Sequence, residues 1–430
     1  MEPHTRSIDA GAVTGMSIFQ LLLKDYHPRD FAIRLWDGST WNAEPGQPIR
    51  YTMVIRHPGA LRNMFLSQQE GALAQSYIYD DFDIEGNLES AFPMAQYLLG
   101  LDLSLKDRIR IGSKLLRLPS NRPPRVGRQP AKLKGAVHSI ERDRQAVTYH
   151  YNTSNDLFTV YLDKRMVYSC AYFSTPDEDL DSAQERKLDY ICRKLRLREG
   201  DRILDIGCGW GALIIHAAKK YGVSALGITL SEPQVKLANE RIQQEGLQEL
   251  CRAETRDYRQ VGQPESFDKL VSIGMVEHVG ETRLPEYFRQ AWRLLRPGGV
   301  FLNHGIADSR GRSDNRVPSF SQSYVFPDGD PVPIDVSTRI AERAGFEIRD
   351  VESLREHYAL TLRHWVRRLE ARHEEVVRAT DEATYRVWRL FMAGSAYQFD
   401  KGLLNVYQSL LVKPDRGTSN LPLTRADWYA

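Results

Sequence analysis

Arg202-Ile203-Leu204-Asp205-Ile206-Gly207-Cys208-Gly209-Trp210-Gly211 is the stretch that decides the fold. Apolar, β-favouring residues lead into a glycine-rich turn, and Ala212-Leu213-Ile214-Ile215-His216-Ala217-Ala218 then reads as a helix. A strand, a tight glycine turn and a helix start together make a nucleotide-cofactor loop. Without a Cβ, the backbone can approach a ligand closely. An aspartate beside such a turn, here Asp205, can accept hydrogen bonds from a cationic amine. The D-x-G-x-G-x-G order differs from the dinucleotide fingerprint G-x-G-x-x-G. Taken as a bare pattern, it leaves a purely structural glycine turn as the alternative.

The rest of the chain bounds what that loop can serve. Its 430 residues exceed the usual size of a single core, so two domains are expected. Hydrophobic residues make up 42% and charged residues 27%, the balance of a soluble globular protein. A net charge of +2 gives no argument for nucleic acid as a partner. Cys170, Cys192, Cys208 and Cys251 show no paired metal-ligand spacing, so no metal site and no disulfide framework is expected. They fit a reduced cytoplasmic setting. The N-terminus lacks a basic segment followed by an apolar one, and no apolar run is long enough to span a bilayer. Any contact with lipid is therefore expected to be peripheral, at the inner face of the membrane.

Residues 1–118 read as a smaller α+β domain. It has strand candidates at 31–37 and 49–55 and helices at 58–66, 70–79, 89–99 and 105–116. The last of these mixes Lys106, Arg108, Arg110, Lys114 and Arg117 with Ile109, Ile111, Leu115 and Leu116. It reads as an ordinary half-buried helix with a solvated basic face, and a membrane-surface helix is the alternative. Residues 119–130, rich in proline and arginine, read as a linker. From 131 to 430 strands and helices alternate. Strands are expected near 202–206, 223–228, 249–253, 268–273, 299–304 and 346–351, with clear helices at 211–220, 232–245 and 284–295. Two long helices at 358–378 and 381–399 and a last strand at 403–412 follow. Such alternation predicts an α/β domain with a mostly parallel, Rossmann-like sheet and a ligand beyond the strands' carboxyl ends.

The glycine loop resembles motif I of the S-adenosylmethionine (SAM) methyltransferases. After the second strand, Gly227-Ile-Thr-Leu-Ser-Glu-Pro-Gln234 carries Thr229 and Gln234 where many such enzymes place an acidic residue on the ribose. A Gln amide can bond a hydroxyl pair, while a helix start capped by Ser231 is equally compatible. After the third strand, Asp257 and Tyr258 stand where adenine recognition usually sits.

Four further stretches narrow the resemblance. They are His150-Tyr151-Asn152 through Tyr168-Ser169-Cys170-Ala171-Tyr172-Phe173, Ser272-Ile-Gly-Met-Val-Glu-His-Val-Gly280, Phe301-Leu-Asn-His-Gly-Ile306 and His357-Tyr358-Ala-Leu-Thr-Leu-Arg-His-Trp365. With these the chain resembles the cyclopropane-fatty-acyl-phospholipid synthase family, which also includes mycolic acid cyclopropane synthases and fatty acid methyltransferases. The match covers roughly residues 145–415.

The resemblance implies methyl transfer from SAM to the cis double bond of an unsaturated acyl chain in a membrane phospholipid. A carbocation follows, and loss of a proton from the delivered methyl closes a cyclopropane. It implies that Asp205, Gly207 and Gly209 hold the amino-acid part of SAM, with Tyr168 and Ser169 over its carboxylate and Tyr151 nearby. It also implies bicarbonate as the base, held by Glu277, His304 and Tyr358 and by the backbone around Cys170 and Ile306. Tyr168, Tyr172, Phe173 and Phe326 are candidates to stabilise the cation. His304 is flanked by Asn303 and Gly305, where enterobacterial-type synthases have apolar and Thr residues. A 10-methylene product is therefore kept as an alternative, and a small-molecule SAM methyltransferase as a second. The N-terminal domain is expected to present lipid or to build a homodimer.

Overall fold

The computed structural model describes residues 9–66, 70–120, 124–151, 153–308 and 319–429. They fall into two compact units. Asn152 and part of the 119–130 stretch lie outside the described residues.

The first unit takes the chain up to Gln129 and adds Asp381–Gly394 from late in the sequence. Its sheet has the order β2-β1-β3-β4, formed by β1 (Ala32–Arg34), β2 (Thr40–Trp41), β3 (Tyr51–Ile55) and β4 (Phe82–Gly86). The sequence reading placed 381–399 wholly in the catalytic domain. Two buried arginines explain the difference. Arg386 donates to Tyr77 O at 3.0 Å and Arg389 to Ile84 O at 3.2 Å, so both saturate carbonyls of the first unit. A buried guanidinium demands such partners.

The second unit is built on a seven-stranded sheet. Its strands are β5 (Arg202–Ile206), β6 (Ser224–Thr229), β7 (Cys251–Thr255), β8 (Phe267–Ile273), β9 (Leu295–Asp308), β10 (Glu347–Ser353) and β11 (Leu404–Val412), in the order β10-β11-β9-β8-β5-β6-β7. Strands β9-β8-β5-β6-β7 are parallel, and β11 alone is reversed, pairing antiparallel with both β9 and β10. Successive residues bury on opposite faces. Leu204, Leu270 and Phe301 join one core, whereas Ile203, Val271 and Leu302 join the other. Burial on both faces is why these strands read as nearly continuous apolar runs.

The helix expected at 358–378 is two helices, Arg355–Ala371 and His373–Ala379. Arg372 between them leaves helical geometry at φ −121° and donates to Val160 O at 2.9 Å. No Gly or Pro marks this break.

Candidate active site

Connections from β5 run to β6 on one side and reach β8 on the other, which opens a crevice at the strands' carboxyl ends. The glycine turn sits there. Gly207, Gly209 and Gly211 take φ values of +89°, +53° and +81°, the region where a side chain is strained. Gly207 N and Cys208 N both donate to Ile228 O, at 2.8 and 3.0 Å, which pins the turn to β6. A Cβ on Gly209 would meet no atom of the described residues within 4 Å, so the space over the turn is open.

A cleft opens in front of the turn. Asp205, Gly207, Gly209, Thr229, Gln234, Asp257, Tyr258, Tyr168, Ser169 and Tyr151 all line it. Thr229 Oγ1 donates to Gln234 Oε1 at 2.9 Å, which leaves the Gln234 NH₂ as the group to offer. Asp257 is already engaged, because Arg259 donates to both of its oxygens at 2.7 Å. Its contribution at the cleft wall is correspondingly that of a fixed, paired charge. Tyr258 is buried edge-on against Tyr287, with ring centroids 5.5 Å apart.

Two opposite charges line this cleft without pairing to each other. Asp205 is buried and, among the described residues, its Oδ1 has no partner, and burial raises its carboxyl to about 7. Lys187 is fully buried and donates to Ser169 Oγ at 2.9 Å. Burial lowers its ammonium to about 8, and among the described residues it forms no ion pair. The sequence reading missed Lys187. The available signal was its position on helix Leu180–Leu195, where Leu180, Lys187 and Lys194 recur every seven residues on the buried face.

The residues assigned to the base lie behind the cleft. Glu277 rides on the short helix Val276–Val279 at the end of β8. Its Oε1 accepts from Ile306 N at 3.5 Å, Oε2 is buried without a partner, and burial raises the carboxyl to about 7. Gly305 makes this seat possible, because a Cβ there would lie 2.1 Å from Val276 Cγ1 and 3.2 Å from Glu277 Oε2. Tyr358 packs on Phe399, and burial together with the charges of Tyr168, Cys170, Glu277 and Tyr151 pushes its hydroxyl pKa up. Cys170 is fully buried and its thiol is pushed up by burial, so it is inert as a nucleophile.

His304 is set by a chain of buried groups. Lys194 Nζ donates to Gln408 Oε1 at 2.9 Å, which orients the amide. Gln408 Nε2 then faces His304 Nδ1 at 3.2 Å and donates to it. That network assigns the proton to Nε2, which is buried and has no partner. Burial and the nearby Lys187 and Lys194 ammoniums hold His304 neutral. Gln408→Glu is expected to reverse this tautomer, since a carboxylate beside Lys194 accepts from Nδ1–H instead. Nitrogen NMR of the histidines should show Nε2–H in the wild type and Nδ1–H in the variant, with turnover reduced about tenfold or more. Identical spectra would remove Gln408 from the chain.

Three of the four aromatic residues expected around the cation, Tyr172, Phe173 and Phe326, do not line the cleft. Tyr172 stacks on His357 at 4.8 Å and reaches Glu352, and Phe173 packs on His364 at 5.5 Å. The aromatic rings that line the cleft include Tyr151, Tyr168 and Trp210, and Phe158 and Trp365 pack behind them with ring centroids 4.9–6.2 Å apart across the cluster. Phe326 packs on His150 at 4.1 Å.

A parallel sheet, a motif I turn at its switch point and a cleft with unpaired opposite charges define a SAM-dependent methyltransferase. The chain belongs to the mycolic acid cyclopropane synthetase family, whose model matches residues 138–409. It is 38% identical over 402 residues to a probable fatty acid methyltransferase of Pseudomonas putida, covering 92% of this chain and 95% of the relative. It is 36% identical over 271 residues to the cyclopropane-fatty-acyl-phospholipid synthase of Escherichia coli, covering 63% of this chain and 68% of that one. Mycolic acid cyclopropane synthase CmaA1, solved with SAH and CTAB, superposes with a TM-score of 0.59 at 33% identity, over 62% of this chain and 97% of that one.

Proposed function

We propose that the protein adds a methylene bridge across the cis double bond of an unsaturated acyl chain in a membrane phospholipid. The observation that carries this reading is the pair of buried atoms Glu277 Oε2 and His304 Nε2, without partners among the described residues, behind a cleft lined in part by Tyr151, Tyr168 and Trp210. Simple O- or N-methylation needs no such set.

SAM supplies an electrophilic methyl group when bound. Its amino-acid end is a zwitterion, and the cleft offers a matching pair: Asp205 for the ammonium, and Lys187 with Ser169 for the carboxylate. Gln234 offers its NH₂ to the ribose hydroxyls. An alkene carbon takes the methyl as the C–S bond breaks, and positive charge appears on the other alkene carbon. Tyr151, Tyr168 and Trp210 face that charge with ring electrons and keep water out. A proton then leaves the delivered methyl, and its bonding pair closes the ring.

Bicarbonate fits as the source of the accepting base. His304 offers Nε2–H to an anion, and the Lys187 ammonium makes its surroundings more positive. Glu277 Oε2 is placed to accept from the hydroxyl of such an anion. The Asn303 substitution bears little on this chemistry. Asn303 alternates with His304 along β9 and accepts from Tyr287 OH at 2.8 Å.

Mass spectrometry of fatty acids from a host expressing the protein tests the reading. A gain of one methylene unit with loss of unsaturation is expected. A retained double bond would instead establish the 10-methylene product, and unchanged lipids would overturn the acyl-chain substrate.

A further inference from the structure

Helix Leu105–Arg117 of the first unit turns Ile111 and Leu115 inward, and Lys114 Nζ donates to Ser17 Oγ at 2.8 Å. That satisfies its inner face. Yet Leu105, Ile109 and Leu116 point outward and are 76%, 64% and 62% exposed. At about 3.6 residues per turn, spacings of four and seven place all three within an arc of roughly 40°. Each is followed by a cation, Lys106, Arg110 and Arg117, so a basic stripe runs parallel about 100° further round. These three cations are exposed and, among the described residues, form no ion pair. Arg108, on the other flank, pairs with Asp102 at 3.2 Å. Farther along, Arg125 and Arg128 are held over the rings of Tyr79 and Trp388, at 5.5 and 4.6 Å.

An ordinary surface helix has one apolar face, and it is buried. This helix carries a second, in solvent, beside unpaired positive charge. We propose that this face docks on an anionic phospholipid bilayer, with Leu105, Ile109 and Leu116 entering the acyl boundary and Lys106, Arg110 and Arg117 meeting headgroup phosphates. A second copy of the chain is the poorer occupant, since a symmetric contact would bring the same cations together. The inference rests on the phospholipid reading above for its purpose, although docking is measurable without catalysis.

The test is co-sedimentation with phosphatidylglycerol–phosphatidylcholine vesicles and with phosphatidylcholine alone. Wild type should prefer the anionic vesicles and release them at high salt. Lys106→Glu/Arg110→Glu/Arg117→Glu should weaken binding on the order of a hundredfold. Leu105→Ser/Ile109→Ser/Leu116→Ser should weaken it at least about tenfold, with unchanged molecular mass in solution. Both variants should keep the wild-type Tm, SAM affinity and turnover on detergent-dispersed phospholipid. Wild-type vesicle binding by either variant overturns the docking face. So does a change of oligomeric mass in the Ser variant with vesicle binding intact. If the wild type binds vesicles through this helix but methylates no lipid, docking stands and the substrate reading falls.

Discussion

Glu277→Gln is expected to lower turnover on cis-unsaturated phospholipid by on the order of 10²–10⁴ while leaving SAM affinity almost untouched. The substitution keeps the volume that Gly305 makes room for, so the fold around Val276–Val279 is preserved. It removes an acceptor whose Oε2 is buried and unpartnered, and which sits behind the cleft and not on its wall. Because burial raises the Glu277 carboxyl to about 7, the ionised form is the minority below that pH. If the ionised form takes the proton of the bound acid, wild-type rate rises as pH increases through about 7, and Glu277→Gln loses that limb. Bicarbonate added to a depleted wild-type sample should restore activity, and should do so far less in the variant. Near wild-type turnover in Glu277→Gln, or indifference of the wild type to bicarbonate, would sink this base while leaving the cofactor assignment standing.

What the sequence carried was the backbone of the site. The run from Arg202 to Gly211 announces strand, turn and helix because both strand faces are buried and three positive-φ glycines are required in the turn. The residues on the ends of β5, β6 and β7 could be placed by counting strands. Side-chain direction was harder to read. Tyr172 and Phe173 are separated from Cys170 only by Ala171, yet they turn toward helix Arg355–Ala371, where His357 Nδ1 accepts from Phe173 N at 3.0 Å. Lys187, Lys194 and Gln408 stayed hidden for a different reason. Each is a polar residue on a buried face, and nothing local distinguishes such a residue from an error in the apolar pattern. Their partners, Ser169, Glu352 and His304, are 18, 158 and 104 residues away, so only the folded chain brings them together. Arg372 breaks its helix through the same kind of distant bond, to Val160 O.

Lys187→Met is expected to raise the SAM dissociation constant on the order of a hundredfold, the scale of removing one side of a buried charge pair. The ammonium is fully buried, hydrogen-bonds only Ser169 among the described residues, and lines the same cleft as Asp205. A buried cation without a counter-ion is costly, and an anionic ligand group relieves that cost. The titrations give the pH dependence a definite shape. Lys187 must be protonated to hold a carboxylate, and with its pKa lowered to about 8, affinity falls as pH rises through that value. Asp205 must be ionised to hold an ammonium, and with its pKa raised to about 7, affinity falls as pH drops through that value. SAM should therefore bind best between about 7 and 8, and calorimetric titrations across pH should trace a narrow bell. Asp205→Asn should flatten the acid side. Lys187→Met should leave on the alkaline side only the share due to the ligand's own amine, which titrates near the same pH. SAH carries the same amino-acid end without the sulfonium charge, so it should trace the same bell. A Lys187→Met protein that binds SAM as the wild type does, with the bell intact, would show that the ammonium faces the protein alone.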